Sequence, residues 1–554
     1  MSESLTVNTN PTIMTPSPTA TVEKPLPDVT PINRVEAWGA LILLALGLLF
    51  WWWMPPHTTE IPLPTESGEG WSGGAVVMIN SAPGVAVPLF YALVVAAALT
   101  YWWRLGIALR RPVIVGAALI MVAAAPFAIF PWSAASVPLF LALMAGTILW
   151  LALAGGNLIA VRPDATLAID AINQGLIVPL RNLSTWFQAV GRLFGRSRSH
   201  TQIIIGLIGS LVALPVLLLV VGLLAGADSA FAGWLNVLAE RVGEITLGPW
   251  LARIVLGILT AVYLFASLYG NAHNRGTNSI SRQQVDQLAR RARQIRLAAL
   301  TAPIIALTLV YLIFLVGMLP YLTGTFGGVL PAGYTYAEYA RRGFFELVAV
   351  SFINLLVIGF TYLFARRSAP NEHVTNHDLP IFLRIAGVIL SGETILLVII
   401  AVSKMLLYIG STGLTELRVY TLLAMIVLGI SFGAIIVWMV RRFRLTQLII
   451  AIAVAGLLAI NWANTDGIIA RYNVDAYLDG RLTTIDVDYL VDGLNEAARP
   501  AIADLADLAL DPVVREAAKT ALTESTAYGL PGGAVSSVPW YDRNVFSELS
   551  RSEA

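Results

Sequence analysis

Cysteine is absent from the 554 residues, and lysine is almost absent, with copies only at Lys24, Lys404 and Lys519. Without cysteine the chain forms no disulfide, no thiolate zinc site and no cysteine-ligated iron–sulfur cluster. The redox state of the surrounding compartment therefore has no bearing on the fold. The positive charge of the protein is carried almost entirely by arginine.

Charged residues are also scarce, at 12% of the sequence against about 25% in an ordinary soluble domain. Hydrophobic residues reach 57%, and the mean hydropathy is +0.74. A soluble core does not need so much apolar side chain, whereas a lipid bilayer does. The formal net charge of +1 gives no field that attracts nucleic acid, so no nucleic-acid partner is expected. Composition thus predicts an integral membrane protein whose main partner is the lipid bilayer.

Common catalytic motifs are missing or lack the sequence context that their chemistry needs. There is no G-x-x-x-x-G-K-[ST], so ATP-driven transport within this chain is not expected. H-E-x-x-H is absent, and no G-x-S-x-G follows a strand-like run. These absences argue against familiar hydrolases, and no cofactor is predicted.

Eleven apolar segments have the length of membrane spans. A helix rises 1.5 Å per residue, so about 20 residues cross the roughly 30 Å of hydrocarbon in a bilayer. The first segment ends in Trp51, Trp52 and Trp53, at the interfacial depth where tryptophan accumulates. We therefore predict an all-α, polytopic integral membrane helix bundle of about eleven transmembrane helices. The segments are 37–54, 85–103, 112–130, 137–153, 203–224, 250–269, 297–318, 343–364, 381–409, 419–440 and 445–462.

Arginine alternates between the connections that join these segments. The connections on one side hold few arginines, among them Arg241, Arg341 and Arg418. Because positive residues stay on the cytoplasmic side, the alternation predicts a cytoplasmic N-terminus and an extracytoplasmic C-terminus in the cell membrane. The connections on the other side are rich in arginine: Arg104, Arg110, Arg111, Arg162, Arg181, Arg192, Arg196, Arg198, Arg275, Arg282, Arg290, Arg291, Arg293, Arg296, Arg366, Arg367, Arg441, Arg442 and Arg444.

The parts of the chain outside the spans differ in character. The N-terminal part is rich in Thr, Pro and Ser and lacks an apolar period, which is typical of disorder. The part after the last span carries most of its charge as Asp and Glu. We predict a disordered cytoplasmic segment at 1–34, a bundle at 35–466 with interfacial helices near 166–195 and 231–246, an extracytoplasmic helical region at 467–524 and a flexible tail at 525–554.

Metal binding is not predicted at either of two candidate clusters. His373 and His377 have a spacing that suits a divalent ion on a helix, but their loop is short and supplies too few ligands. We interpret them as solvated loop histidines. The acidic run Asp486, Asp488 and Asp492 lacks the glycine turn and bidentate Glu of a calcium loop. It is interpreted as a charge cluster at a helix N-terminus.

Polar residues collect in the last four spans. A charge near the bilayer centre costs about 2.5–3.5 kcal/mol on insertion scales, so it usually faces a cavity or a partner. Glu393 lies near mid-membrane in span nine, with Asn354 of span eight as its nearest partner by depth. The other groups lie near the outer ends of helices, where they either line a water-accessible path or join helices by polar contacts. The candidate site residues are Glu393, Glu346, Asn354, Lys404, Arg418 and Asp466.

Several stretches of the sequence resemble a bacterial polytopic membrane protein family that is catalogued only as a domain of unknown function (the 4153/4173 type). They are G-A-D-S-A-F-A at 226–232, Y-A-E-Y-A-R-R-G-F-F-E-L-V-A-V-S-F-I-N-L at 336–355, N-T-D-G-I-I-A-R-Y-N-V at 464–474 and D-V-D-Y-L-V-D-G-L-N-E-A-A-R-P-A-I-A-D-L at 486–505. The resemblance covers roughly residues 200–510 and implies no established activity. It implies that the family pattern includes Asp228, Arg342, Glu346, Asn354, Asp466, Arg471 and Asn473.

Three functions from different classes agree with this reading. A transporter- or channel-like protein for a small solute or ion explains the buried polar set without an enzyme motif. A membrane-embedded enzyme acting on a lipid-linked substrate requires an acid or base near a bilayer entry, where Glu346 and Asp466 are placed. A signalling or assembly scaffold uses the acidic C-terminal region as its working part. We rank them in that order, and no particular protein partner is predicted.

Overall fold

The protein is described by a computed structural model. The structure describes residues 32–53, 57–64, 71–78, 84–130, 135–158, 167–192, 248–277, 297–326, 344–364, 380–441 and 443–525, with a few isolated positions between them.

The predicted all-α polytopic bundle is confirmed. Nine helices among the described residues are long and apolar enough to cross a membrane. The predicted span at 343–364 corresponds to a further helix whose apolar part is Glu346–Thr361. The predicted span at 203–224 lies almost entirely outside the described residues, so the count of eleven stays a prediction.

Thirteen helices of the membrane-spanning part lie among the described residues. They are α1 (Arg34–Trp53), α2 (Ala86–Arg104), α3 (Arg111–Ala124), α4 (Pro126–Ile129), α5 (Ser136–Gly155), α6 (Leu167–Ile172), α7 (Val178–Gly191), α8 (Gly248–Ala272), α9 (Leu297–Phe326), α10 (Phe344–Phe364), α11 (Ile381–Thr412), α12 (Glu416–Val440) and α13 (Leu445–Trp462). Helices α3 and α4 together form the predicted span at 112–130, and the break falls at Pro126, which lacks the backbone donor that a continuous helix requires.

A small hairpin, which the sequence analysis did not predict, connects α1 to α2. Strand β1 (His57–Pro64) pairs antiparallel with β2 (Trp71–Met78), with His57 opposite Met78.

The first core joins α1, α2, α5, α7 and α8. Helices α1 and α8 cross where Gly47 faces Gly257, so closely that a Cβ atom on Gly47 would clash with the Gly257 carbonyl oxygen. Small residues allow two helix backbones to approach in this way in a membrane, where van der Waals packing replaces the hydrophobic effect between helices. A second core joins α9, α10, α11 and α12.

The segment near 166–195 forms α6, a π-helical turn (Asn173–Ile177) and α7, and its interfacial position stays a prediction. Its buried side is both apolar and polar: Phe187 and Leu183 pack in the first core. Asn173 and Asn182 are fully buried and donate to the Thr277 and Arg275 carbonyls just beyond α8. Leucines such as Leu176 point outward and are exposed in the isolated chain. The second predicted interfacial helix, near 231–246, lies largely outside the described residues.

After α13 the chain continues as α14 (Thr465–Leu478), α15 (Val487–Asp492), a 3-10 turn (Glu496–Ala498), α16 (Arg499–Leu508) and α17 (Pro512–Ser525). These helices form a third apolar core, on which Leu414 and Val419 of the bundle pack. Asp486 caps α15 by accepting a hydrogen bond from the Tyr489 amide at 2.9 Å, which agrees with its interpretation as a helix N-terminal residue.

Candidate functional site

Glu393 is buried inside the bundle. It lies twelve residues after the start of α11, about 18 Å along the helix axis, and its side chain is 8% exposed. The Thr308 hydroxyl on α9 is hydrogen-bonded to its carboxyl group. Its second oxygen, Oε2, has no hydrogen-bond partner among the described residues. The carboxyl group is therefore only partly satisfied by the surrounding helices.

A chain of buried hydrogen bonds runs beside Glu393 and links three helices. The Tyr311 hydroxyl of α9 donates to Asn354 Oδ1 of α10 at 2.8 Å. Asn354 Nδ2 donates to Thr394 Oγ1 of α11 at 2.9 Å, and Thr394 donates to the Leu390 carbonyl at 2.6 Å. The structure thus pairs Asn354 with the residue after Glu393, not with Glu393 itself, because an amide can satisfy the tyrosine and the threonine at once.

Lys404 and Glu346 attract each other across α11 and α10. Lys404 is 6% exposed and lies eleven residues after Glu393, about 16 Å further along the helix. Glu346 is exposed at the start of α10. The charge of Glu346 therefore acts on Lys404, and Glu393 has no ion pair with a Lys, Arg or His among the described residues.

Arg418 closes the end of α11. Its guanidinium donates to the Thr412 carbonyl at 3.1 Å and to the Gly413 carbonyl, and it lies 4.1 Å from the centre of the Tyr408 ring. A cation at the C-terminus of a helix satisfies free carbonyl groups and complements the helix dipole. These contacts assign Arg418 a structural role.

Asp466 lies beyond the last span, in the first turn of α14, and is 3% exposed. One oxygen, Oδ2, accepts from the Asn495 amide at 3.3 Å, and the carboxyl group is hydrogen-bonded to Glu416 of α12. The other oxygen, Oδ1, has no partner among the described residues. Burial, followed by the negative charge of Glu416, raises the pKa of Asp466 to about 7.

Two tyrosines hold Glu416 in place. The Tyr420 hydroxyl, one helical turn later, donates to Glu416 Oε1 at 2.8 Å, and the same hydroxyl accepts from the Ala135 amide at 3.2 Å. The Glu416 amide donates to the Tyr489 hydroxyl at 3.0 Å. The pair of carboxyl groups therefore lies where α12, α14, α15 and the start of α5 meet.

A cavity of about 20 Å³ borders Asp466. Such a volume holds about one water molecule. Asn464, just before α14, is in the left-handed region with φ 47°, a conformation that asparagine tolerates better than most residues. The cavity is lined by Pro126, Phe127, Phe130, Ser133, Ser136, Ile460, Asn461, Asn464, Thr465, Asp466 and Asn495.

The structure thus separates the candidate residues into three places: Glu393 with Asn354 at mid-helix, Lys404 with Glu346 and Arg418 towards the end of α11, and Asp466 at the start of α14.

Sequence reasoning missed Tyr311, Thr394 and Tyr489, since such residues are common in apolar helices and loops. Tyr420 carried a usable signal, because it follows Glu416 by four residues on one helix face. His373 and His377, and Asp228 and Arg342 of the family pattern, lie outside the described residues.

Long apolar helices packed around a few buried polar networks define a multi-pass integral membrane protein. A sequence profile described as "Domain of unknown function (DUF4153)" matches residues 91–505. The match covers well over half of the chain, which therefore belongs to this family. The match begins at residue 91, whereas the resemblance seen in the sequence covers roughly residues 200–510. No curated protein and no solved structure matches the chain.

Proposed function

We propose that the protein is a transporter- or channel-like protein for a small solute or ion, and that Glu393 is the group that binds the proton or cation. The observation that carries this proposal is the state of the Glu393 carboxyl group, which is buried at mid-helix with one oxygen unpartnered among the described residues. A charged group at that depth costs several kcal/mol unless water, a proton or a cation accompanies it.

The surroundings of Glu393 favour a hard ion. The Thr308 hydroxyl is hydrogen-bonded to the Glu393 carboxyl group, and Tyr311, which belongs to the hydrogen-bond chain with Asn354, lies close enough to interact with its charge. The described part of the chain places no arginine or lysine in contact with Glu393. A purely structural carboxylate is normally paired, whereas a carboxylate that exchanges ions needs a vacant coordination position.

A second candidate, a membrane enzyme acting on a lipid-linked substrate, is supported by one observation. A cavity of about 580 Å³ lies between α9 and α10, with a lining that is almost entirely apolar. Ile353 and Leu355, which flank Asn354 in the sequence, are part of its wall. Such a groove suits an acyl or polyprenyl chain and would bring it close to the polar network.

Cysteine labelling in this naturally cysteine-free chain tests the first proposal. In the full-length protein in lipid vesicles, Glu393→Cys is treated with a membrane-impermeant maleimide, and Ile389→Cys, which is exposed on the same helix, serves as the lipid-facing control. We expect Glu393→Cys to react and Ile389→Cys to remain unlabelled. Flux of protons, Na⁺ or K⁺ into the vesicles should be lost in Glu393→Gln and retained in Glu346→Gln. Labelling of neither cysteine, with no flux in the wild type, would contradict the proposal.

A further inference from the structure

Two acidic side chains meet at the junction between the bundle and the C-terminal helices. Asp466 and Glu416 carry two carboxyl groups in direct contact, and Asp466 is almost fully buried. Among the described residues neither group forms an ion pair with Lys, Arg or His. The nearby Arg418 is turned to the end of α11 and to the Tyr408 ring instead.

Two adjacent carboxylates without a cationic side chain repel each other. The repulsion is removed either by a shared proton or by a bound cation. The second possibility requires space and additional oxygen atoms, and both are present. Asp466 borders the cavity of about 20 Å³, which is large enough for one water-sized occupant. The unpartnered Oδ1 of Asp466 is an independent sign that a ligand completes the site.

The polar groups around the cavity all carry oxygen atoms, and they alternate with apolar side chains such as Phe127 and Ile460. Besides the Asp466 carboxyl group, the lining contributes side-chain amides from Asn461, Asn464 and Asn495 and hydroxyls such as that of Ser133, and Glu416 reaches the site through its contact with Asp466. No thiol exists in the chain, and no histidine lines this cavity. Oxygen donors with one or two carboxylates, completed by water, are the ligands that Ca²⁺ and Mg²⁺ prefer.

We propose that Asp466 and Glu416 bind a hard divalent cation, Ca²⁺ or Mg²⁺, at the junction of α12, α14 and the start of α5. The two carboxylates supply the charge, and water with the neighbouring amide and hydroxyl oxygens completes the shell. Glu416 belongs to α12, whereas Asp466 and Asn495 belong to the C-terminal helices. The cation therefore fastens the C-terminal helices to the bundle, a role that is independent of Glu393.

Calorimetric titration of the full-length protein in nanodiscs, after removal of metal with EDTA, tests the proposal. We expect CaCl₂ or MgCl₂ to bind saturably at one site per chain. Asp466→Asn and Glu416→Gln should each weaken binding at least tenfold. Asp479→Asn is the matched control, because Asp479 is an exposed carboxylate of the same region that pairs with Arg481.

The stability of the variants without metal is the second readout. Both amide variants remove charge repulsion and keep the side-chain shape, so in EDTA they should unfold at or above the wild-type temperature. The wild type, and not the variants, should then gain stability when the cation is added. Absence of binding to the wild type at millimolar cation, or equal binding in both amide variants, would overturn the proposal and leave a proton-sharing carboxyl pair.

Discussion

The side-chain amide of Asn473, on α14, forms two hydrogen bonds with the backbone of Leu414. Asn473 Oδ1 accepts from the Leu414 amide at 2.6 Å, and Nδ2 donates to the Leu414 carbonyl at 2.8 Å. Leu414 lies in the turn between α11 and α12, next to Gly413. The φ of Gly413 is 80°, a value that glycine adopts readily and other residues rarely do. A Cβ atom on Gly413 would lie 2.6 Å from Asn473 Oδ1. One amide thus joins the C-terminal helices to a turn of the bundle.

Replacing Asn473 with Ala should loosen the C-terminal helices. The substitution leaves a backbone donor and acceptor of Leu414 unpaired, which costs about 1–3 kcal/mol. We expect added protease to cleave residues 474–523 much faster in Asn473→Ala than in the wild type. Arg471→Ala, which removes exposed ion pairs with Asp475 and Asp504, is the control and should change cleavage little. Equal protection of both variants would show that apolar packing alone holds the region.

The spans could be predicted because apolar length is a local property of the sequence. The kink at Pro126 and the helix cap at Asp486 are local as well. The orientation of α7 could not be predicted, since its buried Asn182 donates to the Arg275 carbonyl, which is 93 residues away and beyond α8. Within the helical region predicted at 467–524, residues 487–508 form α15, a 3-10 turn and α16. The apolar spacing did not indicate the break between α15 and α16, where Asn495 accepts from the Ala497 amide and Pro500 lies in the first turn of α16.

The candidate site was predictable only in part. Depth within an apolar run identified Glu393, because a carboxylate there is rare. The pairing of Asp466 with Glu416 joins residues 50 positions apart and depends on how α14 docks on α12. No pattern in the sequence encodes that contact. The same holds for Tyr311 and Asn354, which meet only because α9 and α10 both pack on α11.

Gly47→Leu should destabilise the first core. A side chain at position 47 has no room beside the Gly257 carbonyl, so α1 and α8 must separate. Overpacking of this kind typically costs about 1–3 kcal/mol. Gly433→Ala is the control, because nothing lies within 4 Å of the Cβ position there. We expect thermal unfolding in detergent to shift downward for Gly47→Leu only. An unchanged unfolding temperature would mean that the two helices do not cross at these glycines.

The raised pKa of Asp466 predicts that the stability of the protein depends on pH in metal-free buffer. Its pKa is about 7 in the folded protein against an ordinary value of 3.8, so the folded state holds the proton more tightly than the unfolded state. This contribution is fully present below the ordinary pKa and is lost as the pH rises through the folded pKa. A shift of about three units corresponds to at most roughly 4 kcal/mol.

The measurement for this prediction is the difference in unfolding free energy between Asp466→Asn and the wild type, followed across that pH range in EDTA. The difference should grow in favour of the asparagine variant as the pH rises, and it should level off above the folded pKa. Carboxyl groups that do not interact with Asp466 cancel in the comparison, whereas Glu416, its direct neighbour, contributes to the difference. A difference that does not change with pH would show that Asp466 titrates normally.

The arginine alternation predicts the placement of the two termini. A reporter that functions only outside the cytoplasm should be active when fused after Ala554, and one fused before Met1 should be inactive. The same reporter fused directly after Trp462, in a chain truncated there, tests the same side of the membrane, since Trp462 ends the last span. Activity of the C-terminal fusion in the cytoplasm would require an even number of spans.

Asn354→Leu should weaken the contact between α9, α10 and α11 through the loss of two interhelical hydrogen bonds. Such bonds are worth on average about 0.6 kcal/mol each in a membrane and up to about 1.7, so we expect a loss of about 1–3 kcal/mol. Thr394→Val and Tyr311→Phe each remove one partner of Asn354, and a double-mutant cycle with Asn354→Leu should give a coupling energy for each pair. Ser351→Ala is the control on α10, since its hydroxyl donates only to Leu347 of the same helix. Coupling indistinguishable from that of Ser351 would mean that the three helices pack without the network. Glu393 would then lack an ordered polar wall, and the argument for an ion at its carboxyl group would lose its geometric support.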